Sequence, residues 1–406
     1  MTGGAGARTD PFAPATLGPV TLRNRFVKAA TFEGMARDNL VTDGLVDFHR
    51  TMAAGGVGMT TLAYLAVSPD GRGAPNEIVV RDEAVPGLAK LVDAVHAEGA
   101  AASAQLGHAG PVAAAVGTTG LAPSRLFSPM AMRFTRAATD DDIERITRDF
   151  ARAAMLLREA GFDAIELHLG HNYLLSAFLS PGLNKRTDRW GGSVANRAAL
   201  PRQVVLAVRE AVGRDVALVA KLNMADGFRG GIWLDESVEV AALLESDGAL
   251  DAVELTGGGS FKNPMYMFRG EPPIDEMARA FREPIRTAFR LFGKRFLKSY
   301  PFEEAYFLPY ARQFREALSM PLILLGGVNR LETVRTAIEE GFDFVAMGRA
   351  LLREPGLVRR WQDGDVAEAL CIHCNKCMPT IYRGTHCVLV DPEDRPGHAN
   401  EVARGG

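Results

Sequence analysis

Two imidazoles and a phenol stand close together at one point of this 406-residue chain: His168, His171 and Tyr173 follow the apolar run "DAIEL". Imidazole N–H groups donate hydrogen bonds, and a phenol with a reference pKa of about 10 keeps its proton at neutral pH. A lone histidine is more often a packing residue, but two at a strand end with a tyrosine behind them point to chemistry. Farther along, "LLGGVNR" and "AMGRALL" put Gly326, Gly327, Gly348 and Arg349 directly behind two consecutive apolar runs. Backbone N–H groups and a guanidinium placed there suit a phosphate. No Gly-x-Gly-x-x-Gly follows a strand to open a helix, and "TGGGSF" has the wrong spacing, so a Rossmann dinucleotide site is disfavoured. The four cysteines, Cys371, Cys374, Cys377 and Cys387, have the spacing C-x2-C-x2-C-x9-C. Thiols this dense serve zinc, an iron–sulfur cluster, or simple packing as reduced side chains.

The elements that must position these groups alternate in period. Short β-rich runs at 25–32, 58–67, 100–106, 163–169, 216–223, 251–257, 321–327 and 342–348 are separated by helical patterns. The clearest helix follows Thr139 as N-cap, with acids in its first turn, Ile143, Ile146, Phe150, Ala154 and Leu157 on one face, and Gly161 as its stop. Eight such alternations predict an α/β fold, a TIM (β/α)8 barrel, with the polar ends of its strands on the active-site face. The chain reads as a single domain, 1–406, with an insertion at 258–300 after strand six and a Cys-rich tail at 362–406. The insertion carries Arg282, Arg286, Phe289, Arg290, Phe292, Lys294, Arg295 and Phe296 at helical spacing. It is expected to act as a lid or as a subunit contact of a homo-oligomer, with a membrane-surface helix as the weaker reading.

Composition narrows the partners. A formal net charge of −3 leaves no electrostatic case for nucleic acid. The N-terminus lacks the apolar core of a signal peptide, and no run of about 18 apolar residues occurs, so a cytoplasmic location without membrane insertion is expected. Cysteines confined to one short segment do not form a secreted disulfide framework.

The motifs "LRNRFVKAATFEGM", "VSPDGRG", "AQLGHAG", "IELHLGHNYLLSAFLSPGLNKRTDRWGGSVANR", "LLGGVN" and "FVAMGRALLREP" together resemble the old yellow enzyme family of FMN-dependent NAD(P)H oxidoreductases, from about Phe12 to Trp361. The Cys-rich tail and the insertion are similar to a branch related to dienoyl-CoA reductase. Some members of that branch carry an iron–sulfur cluster and a further nucleotide-binding domain, and the latter is not expected in this chain. The resemblance implies that His168 and His171 hold the carbonyl oxygen of an unsaturated substrate and that Tyr173 is the proton donor. Hydride delivered to the β-carbon of an enone pushes charge onto that oxygen, where two imidazole donors would stabilise it.

It further implies that Gln105 bonds the flavin's pyrimidine edge and that Ala29, Ala30 and Thr31 lie against the ring. Lys221 stands where relatives usually carry an arginine near N1 and O2. Phe32 and Tyr64 occupy positions often filled by smaller residues, and Pro111 replaces an expected arginine. The function so implied is ping-pong reduction of an activated C=C bond by NAD(P)H. The alternatives are a Schiff-base aldolase-type barrel using Lys221 and a non-catalytic flavin-binding protein. In the tail the resemblance favours a [4Fe–4S] cluster, with zinc or no metal as alternatives, since the spacing is shorter than the C-x2-C-x3-C-x11-C of cluster-bearing relatives.

Overall fold

The computed structural model describes residues 9–116, 119–128, 133–279 and 281–397. Eight parallel strands form a closed barrel: β1 Phe26–Lys28, β2 Met59–Ala66, β3 Ala101–Gly107, β4 Ala164–Leu169, β5 Ala217–Asn223, β6 Ala252–Thr256, β7 Leu322–Leu325 and β8 Phe344–Met347. Closure is made by β8 pairing with β1 (Ala346 opposite Val27) and β1 pairing with β2 (Val27 opposite Met59). The helices between strands are α1 Asp43–Ala54, α2 Val85–Ala97, α3 Asp140–Glu159, α4 Val194–Val212, α5 Leu234–Ser246, α6 Leu308–Ala317 and α7 Leu331–Glu339; short helices Arg349–Arg353 and Leu357–Gln362 follow β8. This is the TIM barrel expected from the alternation of periods.

Local chemistry explains the elements. In α3 the Thr139 hydroxyl accepts from the Asp142 N–H while the Asp142 carboxylate accepts from the Thr139 N–H, a reciprocal capping box. Its buried residues include Ile143, Ile146, Phe150, Ala154 and Leu157, the face read from the sequence. All residues of β4, β5 and β6 are buried, because each strand has the barrel interior on one side and helices on the other. The floor of the barrel is a separate apolar cluster that includes Val27, Met59, Ala164, Val219 and Phe344. Leu17 and Leu22 of an N-terminal hairpin, Ala15–Leu17 with Val20–Leu22, join that cluster and plug the barrel's lower end.

Two expectations need adjustment. The first strand is only Phe26–Lys28 rather than 25–32, and Ala29 makes its last ladder-like bond, N–H to the Met347 carbonyl at 2.9 Å. Beyond it the chain turns toward a buried group: Lys28 Nζ lies 2.6 Å from Glu33 Oε1, and Glu33 Oε2 accepts from the Ala63 N–H at 3.0 Å. The insertion after β6 contains helices Pro264–Phe268, Ile274–Ala278 and Ile285–Phe296. Its first helix reaches the upper mouth of the barrel, whereas Ile285, Leu291 and Phe292 of its last helix face solvent. Among the described residues no helix is long and apolar enough to cross a membrane.

Candidate active site

The C-terminal strand ends surround a cleft of about 700 Å³, its open mouth included. One end is formed by Gly326, Gly327, Gly348 and Arg349, the other by His171, Lys221 and Thr256, with Ala29, Ala30 and Thr31 between. Met267 and Phe268 of the insertion and His373 of the tail also line it. Gly326 has φ of +119°, and a Cβ there would meet the Phe307 ring at 2.6 Å, so only glycine fits this wall. At Gly348 the nearest atom to an added Cβ is Thr31 Cγ2 at 3.4 Å, which leaves bare backbone facing the cleft. Arg349 does not swing freely: Nη2 donates to the Phe268 carbonyl at 2.6 Å and Nη1 to Asn375 Oδ1. Its guanidinium thus pins both the insertion and the tail beside the glycine-rich end.

The histidine pair is aimed by an unusual backbone. His171 and Asn172 both adopt the left-handed region, with φ of 59° and 61°, a conformation that non-glycine residues rarely hold at two successive positions. Side chains of the next strands hold it there. Asn223 Oδ1, at the end of β5, accepts from the His171 N–H at 3.1 Å, and Thr256 Oγ1, at the end of β6, meets His171 Nε2 at 2.9 Å. Asn172 Nδ2 donates to Asp226 Oδ1 at 3.1 Å, and Asp226 is itself held by Ser180 at 2.5 Å. The result is a tight ring cluster: His168 and His171 centroids are 5.0 Å apart, His168 and Tyr173 4.6 Å, Tyr173 and Tyr64 5.2 Å. Tyr64 spends its hydroxyl on the Gly71 carbonyl at 2.9 Å, so it offers Tyr173 a ring wall and no acid.

Burial keeps both imidazoles neutral. Desolvation, then the charge of Lys221, holds His171 down to about 3, and burial with His171 and Lys221 holds His168 well below the ordinary histidine value. Neutral imidazole carries one N–H donor, and His168 Nδ1 is fully buried without a partner in the protein. An unpaired buried nitrogen beside a cleft is what a ligand's oxygen or sulfur would satisfy.

Beneath these groups Lys221 belongs to a charged trio whose two carboxylates sequence reading did not single out. Lys221 Nζ is 3.0 Å from Glu166 Oε1 and 2.9 Å from Glu254 Oε1, all three buried. Gln105 Nε2 donates to the same Glu166 oxygen at 2.6 Å. Burial, then the neighbouring Glu166, pushes Glu254 up to about 8 against the pull of Lys221. For Lys221 burial acts downward, but the two carboxylates outweigh it and raise its pKa. A Schiff-base nucleophile needs a lowered lysine pKa, so this pairing does not favour the aldolase-type alternative. A charged side chain inside strands as apolar as "DAIELHL" and "DAVELTG" was the available signal for Glu166 and Glu254.

Lys221, Ala29 to Thr31, the three glycines, Arg349 and His171 therefore share one cleft; His168 and Tyr173 adjoin it through His171, and Gln105 sits one layer deeper on Glu166. Thr256, Asn223, Asp226 and His373 are additional residues of the site. The bare glycine end, the lysine at the far end and the unpaired His168 nitrogen fit a planar ring with a phosphate tail.

The four cysteines line a second, smaller cavity together with Arg349 and Arg353. All four are free thiols, and burial pushes Cys377 up to about 12. Among the described residues no three of His, Cys, Asp or Glu are grouped to hold a metal ion.

Comparison with known proteins agrees with this arrangement. A 4,4'-dithiodibutanoate disulfide reductase of Rhodococcus erythropolis is 56% identical over 382 residues, covering 94% of this chain and 95% of its own. An NADPH dehydrogenase of Listeria innocua serovar 6a is 30% identical over 85% of this chain and 91% of its own. Morphinone reductase in complex with tetrahydroNAD superposes with a TM-score of 0.68 at 25% identity, over 88% of this chain and 92% of that one. With residues 10–254 matching its family profile as well, the chain belongs to the NADH:flavin oxidoreductase / NADH oxidase family.

Proposed function

We propose that the chain is an FMN-dependent NAD(P)H oxidoreductase whose acceptor is a small organic disulfide bearing carboxylates. FMN, when bound, supplies the two-electron chemistry, accepting hydride from the nicotinamide and passing it to the acceptor. The chain's own part is to bind, orient and protonate. The glycine-rich end with Arg349 would hold the phosphate, Ala29 to Thr31 would lie along the ring, and Lys221 would face its pyrimidine end, with Gln105 held behind Glu166. The observation that carries the reading is the donor set: two buried imidazoles, one with an unpaired nitrogen, beside the Tyr173 ring.

Such a set favours an acceptor that turns anionic as it is reduced. In a disulfide the incoming hydride breaks the S–S bond, one sulfur leaving as thiol and the other as thiolate. His168 and His171 stabilise that thiolate, and Tyr173 gives it a proton that solvent restores. The balance is RSSR + NAD(P)H + H⁺ → 2 RSH + NAD(P)⁺. The relative with 56% identity favours this acceptor.

The same donors suit the carbonyl oxygen of an enone, which keeps ene-reduction as the second reading, favoured by the His168–His171–Tyr173 cluster itself. Mixing NADPH-reduced protein with 4,4'-dithiodibutanoate or with cyclohexenone separates the two by which acceptor reoxidises the flavin.

In this reading residues 1–406 act as one FMN-binding barrel, with the first helix of the 258–300 insertion and His373 of the 362–406 tail at its mouth. Cys371, Cys374, Cys377 and Cys387 are read as ligands of a [4Fe–4S] cluster rather than of zinc. They share one cavity without converging on a single ion position, which suits a cluster of several irons better than one zinc ion. Iron and sulfide analysis of anaerobic protein tests that assignment independently of turnover.

A further inference from the structure

The loop that leaves β6 is bound directly to the histidine turn. Ser260 N–H donates to the His171 carbonyl at 3.0 Å, and Asn263 Nδ2 donates to the Gly227 carbonyl at 2.6 Å, tying this loop to the one after β5. Phe261 and Phe228, one from each loop, pack in the apolar cluster that also receives Tyr173. Between these anchors Lys262 is exposed, its Nζ 4.5 Å from the centre of the Phe228 ring.

No carboxylate pairs with it among the described residues. Asp226, the acid that bears on it electrostatically, is buried and spends its oxygens on Ser180, Asn172, Asn223 and the Ile232 N–H. The neighbouring cation is Lys185, whose Nζ donates to the Pro181 carbonyl at 2.6 Å. Partial burial, then Lys185, presses the Lys262 pKa down, so an anion arriving beside it would relieve an unfavourable charge. An unpaired ammonium over an aromatic wall, next to a second cation and at the rim of a reducing site, suits a carboxylate attached to the substrate by a short apolar chain.

We propose that Lys262 binds a carboxylate of the acceptor and so holds an acid-bearing substrate with its reducible bond over His168, His171 and Tyr173. This rests on the disulfide reading above. The aliphatic segment between sulfur and carboxylate then runs along Phe228 and Phe261, and Lys185 adds to the field without needing direct contact.

The test compares kcat/KM for 4,4'-dithiodibutanoate with that for its dimethyl ester, which keeps the disulfide and lacks the charges. In Lys262→Met, which retains side-chain length over Phe228, the diacid-to-diester ratio should fall about tenfold, the scale of one charge-assisted hydrogen bond. Lys262→Arg should restore most of it, and raising the ionic strength should lower the ratio more steeply in the unsubstituted protein than in Lys262→Met. A ratio that Lys262→Met leaves unchanged, in a protein that reduces both disulfides, overturns the anchor alone. Unsubstituted protein that reduces neither disulfide overturns the functional reading and the anchor with it.

Discussion

Replacing Glu254 with glutamine isolates the charged trio under the cleft. Glu254 is 1% exposed, and burial with Glu166 beside it lifts its pKa from the ordinary 4.5 to about 8. A carboxyl whose folded pKa is raised binds its proton more tightly folded than unfolded. Its contribution to stability is therefore complete below about pH 4.5 and is lost as pH rises through about 8. Within that window the folded protein holds about one more proton than the unfolded chain, and linkage lowers stability by about 1.4 kcal/mol per pH unit.

Glutamine keeps the shape of the protonated acid and cannot ionise. Glu254→Gln should thus gain on the unsubstituted protein by about 3 kcal/mol between pH 5.5 and 7.5, whatever their difference at the lower pH. Urea denaturation at a fixed free FMN concentration, run in parallel for both proteins at the two pH values, reads this directly. Parallel stability curves would show that Glu254 is already ionised in the fold. The trio would then hold Lys221 between two negative charges and carry a net charge of about −1 rather than zero beneath the cleft.

Other perturbations probe different links. Tyr173→Phe should slow acceptor reduction while NADPH still bleaches the flavin, since only the oxidative half-reaction draws on that proton; equal slowing of both half-reactions in stopped flow would remove Tyr173 from the acid role. Lys221→Met leaves Glu166 and Glu254 facing each other in the barrel, so it should cost about 3–5 kcal/mol in unfolding free energy. It should also loosen FMN and lower the flavin's reduction potential, and an unchanged potential in a redox titration would mean that the lysine charge does not reach the ring. Cys374→Ser, purified without oxygen, should lose iron and sulfide and keep FMN; iron-free unsubstituted protein, prepared the same way, would refute the cluster.

The barrel was legible because its signals are local. Each strand is a short, mostly apolar run, and α3 announces itself through Thr139, its acidic first turn and a buried stripe every three to four residues. The grouping of Lys221, His171 and the two glycine turns followed from topology, since all lie behind strands that point to one face. What escaped notice depends on contacts between distant positions. Glu166 and Glu254 matter only because the register of β4, β5 and β6 brings them to Lys221.

The left-handed turn at His171 and Asn172 is made possible by Asn223, Thr256 and Asp226, none of which belongs to a local pattern. The path of the tail is set by Asn375, whose amide donates to the Arg269 carbonyl 106 positions away, and by the Thr385 N–H on the Glu33 carbonyl. Such pairings bring His373 into the cleft, and no spacing in the tail foretells it.

The most direct test of the account is a single anaerobic mixing experiment. Protein reduced with NADPH and freed of excess nicotinamide is mixed with 4,4'-dithiodibutanoate while flavin absorbance and free thiol are followed together. The account expects the flavin to reoxidise within the turnover time, with two thiols released for each flavin. Reoxidation by cyclohexenone alone would contradict the disulfide acceptor and favour ene-reduction, and a flavin that stays reduced with both acceptors would contradict the reductase site built around His168, His171 and Tyr173.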